Sequence, residues 1–145
     1  MLDKDKGFKD FTKLAKELNA KQLKLGIFSD AGKNKETGQY ISEYASYNEH
    51  GTRKIPPRPF LSSTFDKYKD EWLNDVTKLA TNTKMNANQI IATVGEKAVG
   101  QIKETISSDI DPRNAPSTIK KKKSSRTLID TGAMRAAVSY KVNDV

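Results

Sequence analysis

The chain has 145 residues, the length of one domain that can bury a core of its own. Hydrophobic residues make up 35% and charged residues 30%, which indicates a folded domain with a lean core and long polar loops. The lack of cysteine excludes disulfides and thiolate metal sites, and a net charge of +8 favours anionic partners. We therefore expect a single domain over residues 1–145 that completes its burial against copies of itself or a neighbour.

Neither a signal peptide nor a membrane span is expected from the sequence. The first residues lack the apolar stretch of a signal peptide, and no later run is long enough to cross a bilayer. The sequence therefore predicts a soluble protein that is made in the cytoplasm and has no membrane partner.

The N-terminal third changes its hydrophobic period. Apolar residues at steps of three and four predict a helix within residues 1–20, with a polar opposite face. Alternation at Leu23, Leu25 and Ile27 then predicts a short, half-buried strand. Residues 29–38 are polar and contain glycine, so we expect a surface loop there.

A second helix is expected from about Tyr40. Gly51 is well placed to end it in a left-handed turn, a geometry that glycine adopts without strain. Residues 55–59, with the sequence IPPRP, predict a stiff, extended connector because proline removes donors and restricts the residue before it.

Two long helices are predicted next. Apolar residues at helical spacing from Leu61 to Leu79 indicate about five turns. Asn86 and Gln89 resemble a capping box for the second helix, and Gly95 and Gly100 lie inside it. Each glycine weakens that helix by roughly 1 kcal/mol relative to alanine, so either the glycines permit close packing against a neighbour, which is the interpretation we favour, or the helix is marginal. The predicted apolar face of the second helix consists of Ile90, Ile91, Val94, Ala98, Ile102 and Ile106.

The C-terminal part begins with a polar, lysine-rich segment at residues 107–130, which we expect to be a mobile loop or one that a partner orders. A short helix within 131–137 and a strand with Val138, Tyr140 and Val142 on alternate positions follow. The two strands can pair, so the predicted class is α+β, a small antiparallel sheet covered by two long amphipathic helices and a short N-terminal helix.

The sequence contains no strong signature of a catalytic or metal-binding site. His50 is the single histidine, so a metal there would need carboxylates such as Glu43 and Glu49 for its other ligands, and a small hydrolase using His50 is the corresponding enzyme hypothesis. No nucleophile turn, P-loop or dinucleotide fingerprint is present. We therefore predict no catalytic, cofactor or metal site.

A DNA-binding function is the alternative from a different class. Four lysines at 120–123 with Arg126 form a basic run that could neutralise phosphates, although such runs are more often solvated loops. Tyrosines at positions 40, 44 and 47 precede the cations Arg53, Lys54 and Arg58, a pattern that suits base stacking but suits a protein interface better. Binding through the basic run would weaken steeply with salt.

Two motifs carry a resemblance. EYASYNEHGTR at residues 43–53 runs into IPPRPFL at 55–61, and NAPSTI at 114–119 precedes LIDTGAMR at 128–135. In order and spacing these resemble a tail-component family of long-tailed bacteriophages over residues 20–143. His50 replaces an aromatic residue that is usual in the family, the lysine run replaces a less charged stretch, and the leading helix is the least comparable part.

The resemblance implies a non-enzymatic structural role in the virion, in the neck or tail-completion ring that joins the tail to the head connector. It implies a cyclic ring of copies, which we expect to be a hexamer, in contact with connector and tail-tube or terminator proteins and with DNA passing through the lumen. Gly51 and Gly132 are expected as turn residues that serve geometry rather than contact. The predicted interface residues are Arg53, Pro57, Arg58, Phe60, Ser117, Thr118, Arg126 and Arg135.

Overall fold

The computed structural model describes residues 4–108 and 132–145. These residues confirm the predicted α+β class, with helices packed on a small antiparallel sheet. The basic run at 120–126 and nearly all of the predicted loop at 107–130 lie outside the described residues. In chain order the elements are α1 (Lys4–Asn19), β1 (Lys21–Gly26), a 3-10 turn (Ser29–Ala31), α2 (Ile41–His50), α3 (Phe60–Asn82), α4 (Ala87–Ser107), α5 (Ala133–Ala136) and β2 (Ser139–Asp144).

The sheet joins the two ends of the described chain. β1 pairs antiparallel with β2, and Leu25 lies opposite Tyr140 in the register. Gly26 ends β1 with a φ of +145°, so Ile27, which we predicted to be inside the strand, lies just beyond it. The predicted loop after β1 is partly ordered, because Lys33 and Tyr40 form an isolated antiparallel bridge across it.

Helix α4 is the centre of the core. All six residues of its predicted apolar face are buried, and the helix packs against α1, α3 and both strands. The predicted capping box is confirmed: the Asn86 Oδ1 accepts from the Gln89 N–H, and the Gln89 Oε1 accepts from the Asn86 N–H, both at 2.9 Å. The start of this helix is therefore fixed by its own sequence.

None of the described helices is long and apolar enough to cross a membrane.

Helix α3 lies against α4 through an aromatic residue and a polar seam. Trp72 is buried, and its indole N–H donates to the Gln101 Oε1 at 2.6 Å. The hydroxyl of Thr64 lies 2.7 Å from that of Thr105, so polar groups at the seam are paired across the two helices. Phe65, which the helical spacing placed on the same apolar face, is 51% exposed.

At the solvent edge of this seam, Lys97 of α4 lies between two acids of α3. Its Nζ is 2.6 Å from the Asp75 carboxylate and 3.1 Å from that of Glu71. These hydrogen bonds, to Asp75 first and Glu71 second, raise the pKa of Lys97 above its usual value. The pairs are solvent-exposed, so they orient α3 on α4 more than they stabilise the fold.

The two glycines of α4 differ in what surrounds them. A Cβ on Gly95 would lie 2.8 Å from the Cδ2 of Tyr140, whereas none of the described atoms lies within 4 Å of one on Gly100. Gly95 therefore permits the close approach of α4 to β2, as the packing interpretation predicted, and the same interpretation has no support at Gly100.

We expect Gly95→Ala and Gly100→Ala to change stability in opposite directions. Gly100→Ala should raise the free energy of unfolding by up to about 1 kcal/mol, because alanine favours the helix and meets open space. Gly95→Ala should lower it by about 1–2 kcal/mol, since overpacking against the Tyr140 ring outweighs the gain in propensity. Urea denaturation of both variants measures this, and equal effects would contradict the close approach.

Candidate subunit interface

The resemblance motif folds into one corner, residues 48–62, in which the end of α2 holds the start of α3. Asn48 is only 2% exposed, and its side-chain amide donates to the Tyr44 carbonyl at 2.9 Å. Its own carbonyl accepts from the Arg58 N–H at 2.6 Å, which fixes the proline-rich connector against α2. The motif asparagine is thus a buried structural residue.

Gly51 gives the corner its turn. Its φ of +79° matches the prediction, but its ψ of 164° places it in an extended region that is nearly exclusive to glycine, and not in a left-handed turn. A Cβ there would also lie 2.9 Å from both the N and the Cδ of Pro57. Glycine is therefore required here both for the backbone conformation and for the close approach of Pro57, and the expectation that Gly51 serves geometry rather than contact with a neighbouring subunit stays a prediction.

Glu49 caps a helix that begins eleven residues later. Its two carboxylate oxygens accept from the N–H groups of Leu61 at 2.9 Å and Ser62 at 3.0 Å, and from the Ser62 hydroxyl at 2.6 Å. The N-cap position of α3 is Pro59, which has no side-chain cap. A carboxylate at this position satisfies donors that lack intrahelical partners and faces the positive end of the helix dipole.

The predicted interface residues fall into three groups. Arg58 and Phe60 are buried within the chain, which uses both side chains in its own packing. Arg53 and Pro57 are exposed on the corner, and Arg135 is exposed on α5, where its Nε donates to the Ser107 Oγ at 2.8 Å. The predicted residues Ser117, Thr118 and Arg126 lie outside the described part of the chain.

Gly132 precedes α5 with the left-handed φ of +77° and ψ of −2° expected of a turn residue. None of the described atoms would lie within 4 Å of a Cβ there, so within those residues its role is conformational.

An apolar groove of about 350 Å³ opens beside the corner. Leu23 and Leu25 of β1 form one wall, and Leu61, Phe65 and Trp72 of α3 form the other. The polar residues at its rim are Glu49, His50 and Ser62. Binding sites are usually mostly apolar depressions of a few hundred Å³ with a small number of polar groups, so this groove is the candidate interaction site of the described residues.

The α3 wall of the groove is an aromatic cluster that extends onto an exposed helix surface. The rings of Phe65 and Trp72 meet edge to face with centroids 5.8 Å apart, and Tyr68 stacks on Trp72 at 6.4 Å. Leu73, eight residues beyond Phe65 on α3, is 67% exposed. The sequence pattern identified the apolar stripe but not that part of it faces water.

A second exposed apolar surface lies on α1. Phe8 and Phe11, three residues apart on one side of the helix, are 73% and 50% exposed. Farther along α1, Leu14, Ala15 and Leu18 are partly buried, since the helix packs on α3, α4 and β1. The described residues therefore leave Phe8 largely exposed and cover about half of Phe11.

His50 lies at the rim of the groove, in the last turn of α2, where a cation faces the negative helix end. The neighbouring Glu49 already accepts three hydrogen bonds. Among the described residues, no group of three histidine or acidic side chains could hold a metal.

Of the three tyrosines at positions 40, 44 and 47, Tyr44 packs on the core, while Tyr40 and Tyr47 are about half exposed at the edge of the domain.

We expect loss of the Glu49 carboxylate to destabilise the fold. Glu49→Ala removes all three bonds and should lower the free energy of unfolding by about 2 kcal/mol, whereas Glu49→Gln keeps one acceptor and should cost about 1 kcal/mol. Urea unfolding at neutral pH measures both. Glu96→Gln, an exposed change on α4 of the same chemistry, is the matched control and should have almost no effect. A Glu49→Ala variant as stable as the control would disprove the capping role.

Comparison with known proteins returns no relative for this geometry. No protein-family model, curated protein or solved structure matches the chain. The case for a function therefore rests on the corner, the groove and the exposed aromatic side chains.

Proposed function

We propose that the chain is a non-enzymatic structural subunit of the neck or tail-completion ring of a long-tailed bacteriophage, joining the tail to the head connector. The observation that carries this proposal is the open apolar groove between β1 and α3, in which Phe65 is half exposed, together with the exposed Leu73 farther along α3. A subunit that is buried in an assembly accounts for such a surface, because contact with a neighbour removes it from water.

The geometry of the corner supports the motif on which the resemblance rests. Asn48, Glu49 and Gly51 each make a different contact that the corner needs, and the connector places Arg58 and Phe60 in the core. The motif is thus one structural unit, which is what a pattern shared by proteins of one fold would encode. The exposed Arg53 and Pro57 are the parts of this unit that a neighbouring subunit can reach.

Repeated copies are the expected partners, as a cyclic ring with six as the proposed number, followed by connector and tail-tube or terminator proteins. The lean core supports this proposal, because the chain leaves Phe8, Phe11, Phe65 and Leu73 largely exposed as it stands. Burial of each of these side chains against a neighbour would make the free energy of association more favourable by about 25 cal/mol per Å² of apolar surface.

Light scattering coupled to size-exclusion chromatography tests the assembly role. The purified chain is run over a range of concentrations, alone and mixed with connector and tail-tube proteins encoded by neighbouring genes. We expect self-association that increases with concentration and co-elution with at least one of these partners. Phe65→Ser and Leu73→Ser should reduce both, with Val145→Ser, another highly exposed apolar position, as the control.

A chain that stays monomeric at all concentrations and does not bind the phage structural proteins would contradict the proposal. Tight binding of that monomer to duplex DNA, with an affinity that falls steeply with salt, would favour the nucleic-acid alternative instead.

A further inference from the structure

We infer that the groove between β1 and α3 receives the α1 helix of a second copy of this chain, with Phe8 and Phe11 as the inserted side chains. This inference rests on the proposed assembly role and names the contact by which copies would join. It follows from the size of the groove, the position of α1 in the fold and the apolar area that each surface leaves exposed.

The groove has room for the two rings. An apolar cavity of about 150 Å³ holds one benzene molecule, and the groove measures about 350 Å³. Phe8 and Phe11 lie one helical turn apart on the same side of α1, so both rings can enter one depression together. The walls already contain the Phe65 and Trp72 rings, which offer edges and faces for aromatic packing.

The α1 helix of the same chain is placed too far away to fill the groove. Phe11 lies in a cleft with Ala80, Thr81 and Met85, where α3 turns into α4. The groove lies at the other end of α3, around Phe65. Sixteen residues of helix separate Phe65 from Thr81, a distance of about 24 Å at about 1.5 Å per residue. Insertion of α1 is therefore between molecules.

The inserted and receiving surfaces are different patches at opposite ends of α3, so the contact is heterologous. Such a contact repeats head to tail, and it gives a ring when the rotation closes and a filament when it does not. An isologous dimer, in which one patch meets itself, is not what this arrangement produces.

The area explains why one contact alone is weak. Two fully exposed phenylalanines would bury about 300–500 Å². Phe8 and Phe11 are 73% and 50% exposed, so about 180–310 Å² remains to be buried on the inserting side. A stable pair of proteins buries about 800 Å² on each partner, so a single insertion supplies roughly a quarter to a third of what a lasting dimer needs. In a closed ring each copy both inserts α1 and receives one, which doubles its contact area. Association should therefore depend on concentration and be cooperative.

Thiol-specific crosslinking tests this contact, because the natural chain contains no cysteine. Asp10→Cys places a thiol beside Phe11, and His50→Cys places one on the rim of the groove; both positions are exposed. Mixed copies of the two single variants should be joined by a short bis-maleimide roughly tenfold faster than copies of either variant alone. Glu96→Cys, exposed on α4, replaces His50→Cys in the control mixture.

A second pair of variants tests the role of the rings. Phe8→Ser with Phe11→Ser, placed in the Asp10→Cys chain, should reduce crosslinking by roughly tenfold or more, because two apolar side chains are lost from the contact. Val145→Ser in the same chain should leave it unchanged. Circular dichroism checks that each variant is folded, which we expect since all three positions are exposed.

The outcomes separate this inference from the proposed function. If the natural chain assembles but the mixed thiols crosslink no faster than the control mixture, copies join through another surface and the inference is wrong while the assembly role survives. If the chain neither self-associates nor joins phage structural proteins, both are wrong. Crosslinking of Asp10→Cys copies among themselves at the rate of the mixture would indicate α1 against α1 and would also overturn the inference.

Discussion

The position of the start of α3 depends on one electrostatic contact, which the Glu49 carboxylate makes from the end of α2. The first N–H groups of a helix have no partner inside it, and Pro59 at the N-cap offers no side-chain acceptor. Glu49 supplies those acceptors from the end of α2, so the start of one helix is fixed to the end of another. Because α3 is held at this point, Leu61 and Phe65 lie opposite β1, and the groove exists as a gap between them. Capping, a local requirement of the backbone, thereby sets the position of the candidate interface.

Much of this architecture could be predicted from sequence, because the signals are local. The period of apolar residues located α1, α3 and α4, and the reciprocal bonds of Asn86 and Gln89 are encoded within four consecutive positions. Pairing of the first and last strands followed from their alternating patterns. In each case the residue that carries the signal and the residue that satisfies it lie close in the chain or share a periodicity.

The features that escaped prediction involve partners that are distant in sequence. From the sequence, Glu49 was considered only as a carboxylate that a metal at His50 would need, because its capping role appears only once the Gly51 turn brings the start of α3 beside it. Arg58 appeared as an interface cation, yet the connector folds inward and buries it. Helical spacing placed Phe65 on the apolar face of α3. Spacing predicts which way a side chain points from the helix, but it does not predict how far the neighbouring elements extend to cover that side chain. Among the described residues α3 packs mainly on α4, and Phe65 remains half exposed.

The small number of apolar residues in the chain has two consequences: the sheet is narrow, and the first half of α1 is only partly covered by the other described residues. Among those residues, part of α3 stays uncovered at one end of the domain, and part of α1 stays uncovered at the other. A larger apolar content could close both gaps within the chain, and the exposed surfaces that support the proposed association would then be absent. With both gaps open, the exposed areas are individually small, so an isolated copy is not driven strongly to aggregate. In the ring proposed above, the last contact would join copies that are already held together, so it would bury these surfaces without costing a further subunit its freedom to diffuse.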